Sequence, residues 1–456
     1  MKNLSISILN VNNISSFLEN LQNIEAKLKK HKLSELFNIS IHFDVMDNKF
    51  VNNNGIDIEK IKEVATFNYY IDTHLMVEKP VEEGYIDKAI ANGCYDITIH
   101  YEIDNFNKAL DYLLKKKKAL NGKLKIGVSI KPNTDIYVLE KYISKIDKVL
   151  VMSVEPGLGG QKYLNNTTQK IVDIKNKYKN LYIQVDGGIN EDTIMNPLRA
   201  NAQSYVVGSY LTKNQDELYD RIKKLNIILA IESMPKEANL EFEKRTIQAV
   251  DGGYGQGAFL LGIRIPRLRK LAKLWYNIVS LNTLEYFISS HIHDYRRFAI
   301  FCLVNMVNEN NKDDIKEFID ENIKYINNWD LVDSVAPICI GKQLILKDDN
   351  YIYNVLREYT KSNDIWIKRI GIVSLLYLAK ANRKESVFRV LDDVFFENYH
   401  LFQKATGWVL RELYKVNPKD TLMYLVEKSK MGKIPSILMS YATEKMSIEE
   451  KSFLRK

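Results

Sequence analysis

The chain has 456 residues, more than a single hydrophobic core normally holds, so about three domain equivalents are expected. Hydrophobic residues make up 46% and charged residues 27%, with only 20 Gly and 9 Pro, which excludes general disorder and a collagen-like or low-complexity chain. Net charge is 65 − 57 = +8; residues 1–226 carry 31 basic and 28 acidic groups, the rest 34 and 29, so the halves hold +3 and +5 and the second half leans only weakly toward a polyanion.

The start, MKNLSISILNVNN, reads as a strand rather than a signal peptide, and no apolar run approaches the ~18–20 residues of a membrane span. No membrane association is therefore expected. Cys94, Cys302 and Cys339 are too scattered for a disulfide framework or a Cys-based zinc site, which points to a reducing, cytoplasmic compartment.

Eight β-branched runs follow one another in the first half: 4–9, 38–45, 67–75, 95–101, 123–130, 148–154, 181–187 and 204–209. Charged stretches with helical spacing separate them. Strand alternating with helix implies parallel strands, because parallel neighbours need a crossover. Eight such units in about 225 residues fit a (β/α)8 barrel, with a doubly wound open sheet as the alternative. The run Lys115–Lys118 reads as a solvated helix face. The stretch 212–234 lacks Gly and Pro and is expected to run as helix through Met234. Beyond it the pattern becomes helical throughout, predicting an all-α solenoid of paired helices, which the resemblance given below makes HEAT-like. The expected domains are a barrel over 1–225 and a solenoid over 226–456.

A barrel places chemistry at the C-terminal ends of its strands. Those ends carry Ser7, His42 and Asp44, His74, Met152, Asp186 and Ser209. His42 and Asp44 are two apart on one strand, so they share a face. Two imidazoles and two carboxylates converging at the mouth suit one divalent ion such as zinc, iron, manganese or cobalt. Each residue alone is more simply a packing or capping group; it is the convergence that argues for a metal. Glycine-rich turns after strands six, seven and eight (Gly157-Leu158-Gly159-Gly160, Gly187-Gly188 and Gly208-Ser209) offer bare backbone N–H groups to a phosphate. Asp44 and Asp186 on opposite sides of one carbon would take a proton from one face and return it on the other, inverting a stereocentre. A metal on the adjacent oxygens would stabilise the enediolate between the steps. Met46, Met76 and Met152 fit a water-excluding wall, or ordinary core.

SIL (7–9), HFDVMDNKFV (42–51), DTHLMV (72–77), VLVMSVEPGLGGQ (149–161), VDGGIN (185–190) and VVGS (206–209) closely resemble ribulose-phosphate 3-epimerase over about 1–212. The resemblance implies interconversion of ribulose 5-phosphate and xylulose 5-phosphate in the pentose phosphate pathway, with a related ketose phosphate such as allulose 6-phosphate as the alternative. It implies that Asp44 accepts the proton and Asp186 donates it. It also implies that His42, Asp44, His74 and Asp186 hold the metal. Ser7, His42, His74, Gly157–Gly160, Gly187–Gly188 and Gly208–Ser209 contact substrate on that reading. The chain departs from the family pattern in having Asn48 for Gly, Asn52 for Pro, and Ala200-Asn201-Ala202 for AGA. The segment KKHKLSELFN ahead of strand two is also longer. A homo-oligomer through the barrel fits this reading.

In the second half, Trp329 and Asp333 are four apart and share a helix face. With Arg369 and Trp408 they suit a cationic or sugar-like ligand and its phosphates, or else form core and a structural ion pair. YGQGAFLLGIRIPRLRKLAK (254–273), YINNWDLVDSVAP (325–337), WIKRIGIV (366–373) and FQKATGWVLRE (402–412) resemble the HEAT-like alkylpurine DNA glycosylases of the DNA alkylation repair family. This implies binding of duplex DNA carrying alkylated purines, without a cofactor. On that reading Asp333 stabilises positive charge on the sugar, Trp329 and Trp408 pack on the damaged nucleotide, and Arg369 holds phosphate. Two arginines of the pattern are replaced by Ser436 and Ser440. The alternative is a non-catalytic binding scaffold.

Overall fold

A computed structural model describes residues 2–31 and 37–454. Residues 32–36, within the lengthened KKHKLSELFN segment, lie outside them. The chain forms two compact units, Met1–Ser233 and Met234–Lys456.

The first unit is a closed barrel of eight parallel strands in sequential order. They are β1 (Lys2–Ser7), β2 (Phe37–Met46), β3 (Tyr70–Met76), β4 (Asp96–His100), β5 (Lys125–Ile130), β6 (Lys148–Met152), β7 (Tyr182–Asp186) and β8 (Ser204–Val207). β8 closes on β1 through the pairing Asn3–Ser204 to Ile6–Val207. The helices are α1 (Ile14–Lys30), α2 (Ile61–Ala65), α3 (Tyr85–Ala91), α4 (Phe106–Ala119), α5 (Asn166–Lys177), α6 (Met195–Arg199), α7 (Ser209–Thr212) and α8 (Leu218–Glu232). Between β5 and β6 the crossover carries a 3-10 segment, Ile136–Lys141, instead of an α-helix.

Period-two alternation builds the wall. Leu4, Ile6, Ile41, Phe43, Ile71, Leu75, Ile97, Ile99, Ile126 and Val128 are fully or almost fully buried. They alternate with Ser5, Ser7, His42, Asp44, Asp72, His74, Thr98 and His100, which are also buried. Ser5 Oγ donates to Asp72 across β2, and Gln184 from β7 reaches the same carboxylate, so this polar set faces the barrel's axis. The interior is therefore polar where apolar layers are usual. α1 shows how the outer layer attaches: Ile14, Phe17, Leu18, Leu21, Ile24 and Leu28 bury one stripe, and Asn13 caps the Ser16 N–H at 3.0 Å.

α8 ends at Glu232, and no helix resumes before Leu240. The expected helix through Met234 is not formed. Pro235, the next residue, lacks an N–H and disfavours helical backbone at Met234.

In the second unit, α9 (Leu240–Thr246) precedes α10 (Ile265–Trp275), α11 (Leu281–Ile288), α12 (His293–Met306), α13 (Lys312–Glu321), α14 (Trp329–Val335) and α15 (Asp349–Thr360). Then come α16 (Ile365–Lys380), α17 (Lys384–Asp392), α18 (His400–Val416), α19 (Pro418–Met431), α20 (Ser436–Ala442) and α21 (Ile448–Phe453). α10, α12, α14, α16, α18 and α20 pack each on the next in one row, and α11, α15, α17 and α19 pack on that row. This is a stack of helix pairs. A π-helical turn, Ala336–Gly341, follows α14. Pro337 removes an N–H there, and Gly341 packs so closely on Ser374 of α16 that a methyl would strike its carbonyl. Among the described residues no helix is long and apolar enough to cross a membrane.

Two departures from the family pattern share one backbone solution. Asn48 has φ +56° and Asn201 φ +65°, the left-handed region that Gly favours and Asn tolerates. Asn201→Val is expected to cost about 1–2 kcal/mol of stability in urea unfolding of the full chain, and Asn201→Gly distinctly less.

Candidate functional site

The register of β2 and β3 assembles the barrel's mouth. Asp44 lies opposite His74, and His42 opposite Asp72. Ser7 pairs with His42 from β1, and Met152 with Asp186 between β6 and β7. One ligand atom each from His42, Asp44, His74 and Asp186 lies within 4.8 Å of all the others. His42 Nε2 is 3.3 Å from Asp44 Oδ1 and 3.8 Å from Asp186 Oδ2. His74 Nδ1 is 3.4 Å and 3.8 Å from the same two oxygens. These are too long for bonds between well-aligned partners. Both imidazole nitrogens are buried and make no hydrogen bond.

The other ring nitrogens are fixed from outside. His42 Nδ1–H donates to Asp72 Oδ1 at 2.5 Å. Glu102 accepts His100 Nδ1–H at 3.0 Å, so the His100 Nε2 lone pair accepts His74 Nε2–H at 2.9 Å. Glu102 is held in turn by Lys131 N–H and Thr134 Oγ1–H. Both relays turn a lone pair of the inner imidazole toward the two carboxylates. Burial opposes charge on His42, yet Asp72 and Asp44 hold its pKa well above the ordinary imidazole value. The spot calls for positive charge. Burial, with His100 and His42 nearby, lowers His74 to about 3 against the pull of Asp44. Burial would raise Asp44, but His42 and His74 hold it far below the usual carboxylate range. Burial, with Asp44 and Asp72 nearby, pushes Asp186 up to about 7 despite His42. Ser7 Oγ–H donates to Asp44 Oδ2 at 2.7 Å.

Above the cluster opens a cavity of about 600 Å³ lined by Ser7, Asp44, Met46, Met76, Met152, Gly157–Gly160, Asp186, Gly187-Gly188 and Gly208-Ser209. His42 and His74 lie buried beneath it. Met46 and Met76 pack with Val51 on one side, and Met152 with Leu150, Val154 and Val206 on the other. Gly187 (φ +122°) and Gly188 (φ +62°) admit no side chain, because a methyl would strike Val154 and the Tyr163 backbone. Leu158 is 65% exposed at the rim. Asn53 Nδ2–H donates to Gly157 O at 2.7 Å, tying the altered Asn48–Asn53 loop to the glycine turn. Sequence reasoning passed over Asp72, His100 and Glu102, and also Lys213 and Arg221, which line the cavity as basic groups. Asp72 and His100 were findable, since each shares strand parity with a named histidine or lies at a strand end.

In the second unit, Trp329, Asp333, Arg369 and Trp408 line one cavity of about 740 Å³, with Tyr254, Tyr399, His400 and Lys404 added by the structure. Arg369 grips Asp333 through two bonds, Nε–H to Oδ1 at 3.0 Å and Nη2–H to Oδ2 at 2.9 Å, and donates a third to Leu401 O. Burial raises the Asp333 pKa against the pull of Arg369. Trp329 Nε1–H donates to Thr246 O at 3.1 Å. Ser436 and Ser440 are exposed on α20. Beneath Trp329, Asp330 accepts bonds from His293 Nε2 and Arg297 Nε.

The first unit's likeness to known proteins agrees with its geometry. Residues 13–212 match the model of the ribulose-phosphate 3-epimerase family. The Eremothecium gossypii ribulose-phosphate 3-epimerase is 31% identical over 189 residues, covering 39% of this chain and 76% of that protein. The chain belongs to the ribulose-phosphate 3-epimerase family. The Bacillus subtilis member is 33% identical over 184 residues, 39% of this chain and 81% of its own. The barrel unit is thus an epimerase. Residues 230–446 match the model of the DNA alkylation repair enzyme family. A solved protein from Enterococcus faecalis, described as a predicted DNA alkylation repair enzyme, is 16% identical and covers 46% of this chain and 98% of its own, with a TM-score of 0.37.

Asp330 gives the helical unit an acid dependence. Burial would raise its pKa, but His293 and Arg297 hold it well below the ordinary value near 4. Its contribution is therefore complete above that value and fades as pH falls through the folded pKa. Asp330→Asn is expected to cost about 3–5 kcal/mol at pH 7. The gap between variant and wild type should narrow in denaturant titrations taken down to pH 3.

Proposed function

We propose that the barrel epimerises ribulose 5-phosphate and xylulose 5-phosphate at C3 with a divalent metal held by His42, Asp44, His74 and Asp186. The observation that carries this reading is the pair of buried, unpartnered imidazole nitrogens facing two carboxylates. Two ring nitrogens without hydrogen-bond partners and two carboxylates converging in one buried spot form a donor set that a divalent cation would satisfy. The ion, when bound, supplies positive charge beside the oxygens of the reacting carbons.

The chain's own groups then divide the work. Asp44, oriented from β2, takes the C3 proton; Asp186, from β7 across the mouth, returns one to the opposite face. Ser7 Oγ orients Asp44 for the transfer. The methionines wall off water on both sides of the reacting carbon. The backbone N–H groups at Gly187-Gly188 and Gly208-Ser209 receive the phosphate at the rim.

For the helical unit the reading is hydrolysis of the bond to alkylated purines in duplex DNA. Asp333 faces the sugar's developing positive charge, and Trp329 and Trp408 flank the damaged nucleotide. One observation favours the alternative of a non-catalytic DNA-binding scaffold: both Asp333 oxygens and all three Arg369 nitrogens are already bonded. In the catalytic case this pair opens when DNA binds.

Asp186→Asn is expected to lower kcat about 10²–10⁴-fold in a coupled ribulose 5-phosphate assay. Strong chelator should abolish wild-type activity, and added divalent metal should restore it. Normal turnover in Asp186→Asn would refute the two-carboxylate scheme. For the second unit, wild type should release 7-methylguanine from alkylated duplex and Asp333→Asn should not. DNA binding without release by wild type would make the unit a scaffold. Binding of either kind should weaken steeply with salt.

A further inference from the structure

Below the metal-type cluster, the barrel encloses a second charged group. Lys148, the first residue of β6, is 4% exposed. Its Nζ lies 2.8 Å from Asp96 Oδ1 and 3.7 Å from Asp72 Oδ2. Asp96 and Asp72 are equally buried, and Tyr70 Oη–H donates to Asp96 Oδ2 at 2.8 Å. Asp72 is the residue whose other oxygen holds His42 Nδ1.

Room for the ammonium's stem is built into the neighbouring strand. Gly127 of β5 pairs in register with Lys148. A methyl at Gly127 would lie 2.8 Å from Lys148 Cε and would strike Thr98 Oγ1. The glycine's φ is not in the left-handed region, so clearance for Lys148 and Thr98, and not backbone conformation, accounts for it.

Two buried carboxylates repel each other and attract whatever cation is nearest. Without Lys148, Asp96 and Asp72 would repel each other uncompensated, and Asp72 would be pushed from its place against His42. With Lys148 in place, Asp72 Oδ2 is compensated from below by Lys148 and Gln184, Ser5 Oγ–H is shared between the two oxygens, and Asp72 Oδ1 accepts from His42. We propose that Lys148 is a positioning residue for the epimerase site: by supplying the counter-charge to Asp72 and Asp96, it fixes Asp72 against His42 Nδ1, so that His42 presents its free nitrogen to the divalent ion. The inference rests on the metal reading of the mouth. Lys148 touches neither substrate nor ion and acts through Asp72 and His42.

The test uses full-length protein freed of metal, with Co²⁺ as probe in competition with a chromophoric chelator. Lys148→Met combined with Asp96→Asn removes the ion pair as a unit and leaves Asp96 no unpaired charge. Asp96→Asn alone keeps the cation beside Asp72. The double variant should melt near the wild-type temperature, bind Co²⁺ about 10–100-fold more weakly and show an altered cobalt absorption band. Asp96→Asn alone should bind Co²⁺ as tightly as wild type or tighter. Wild-type affinity and spectrum in the double variant would overturn the inference while leaving the metal site standing. Equal weakening in both variants would also overturn it, because the cation would then not be the cause. A wild type that binds no Co²⁺ would overturn the metal reading and this inference with it. Should the double variant not fold, Lys148→Gln with Asp96→Asn carries the same expectations.

Discussion

The structure of the barrel unit turns on an electrostatic imbalance at its centre. Two imidazole nitrogens with no hydrogen-bond partner face two carboxylates inside a closed wall. Left alone, such a group leaves buried polar atoms without partners, which burial makes costly. A cation converts the same four groups into a ligand set. The surrounding polar residues make sense in that light: Asp72 fixes one histidine's tautomer, and the His100–Glu102 pair fixes the other. A barrel filled with Val, Ile and Leu would need none of these. On the proposed reading, the polar interior is the cost of holding one ion in one geometry.

The asymmetry between the two carboxylates follows from the same packing. Asp44 sits between both histidines and accepts the Ser7 hydroxyl. Asp186 lies farther from either ring and opens to the cavity. One is therefore disposed to stay ionised and the other to carry a proton, an asymmetry that the proposed transfer across a single carbon would use. The glycine turns above contribute close backbone approach without side chains in the way.

Much of this was legible in the chain. Polar residues at the ends of four of the eight strands named Ser7, His42, Asp44, His74 and Asp186, because strand parity and barrel closure leave those positions little freedom. The same parity argument, carried one step further from His74 to Asp72, would have found the residue that orients His42. What parity could not give is contact between residues on different strands of the lower layer, such as Lys148 with Asp96, since that depends on register around the whole barrel. In the helical unit, Trp329 and Asp333 were legible as one helix face. The two-point ion pair between Asp333 and Arg369, 36 positions apart, was not legible as more than an option, because it needs α14 and α16 stacked. The helix expected through Met234 stops at Glu232 for a local reason: Pro235 follows Met234 directly and disfavours helical backbone there. Asn48 and Asn201 look like losses of glycine in sequence, yet each keeps the left-handed turn.

Placement of the ion is the most direct test of the central claim. A crystal of the full-length protein grown with Zn²⁺, measured on both sides of the zinc absorption edge, should show one strong anomalous peak in the barrel bonded to His42 Nε2, His74 Nδ1, Asp44 and Asp186, at the ~2.0–2.2 Å typical of zinc with nitrogen and oxygen ligands. A barrel with no peak at that position, or with its zinc bound elsewhere, would contradict the account.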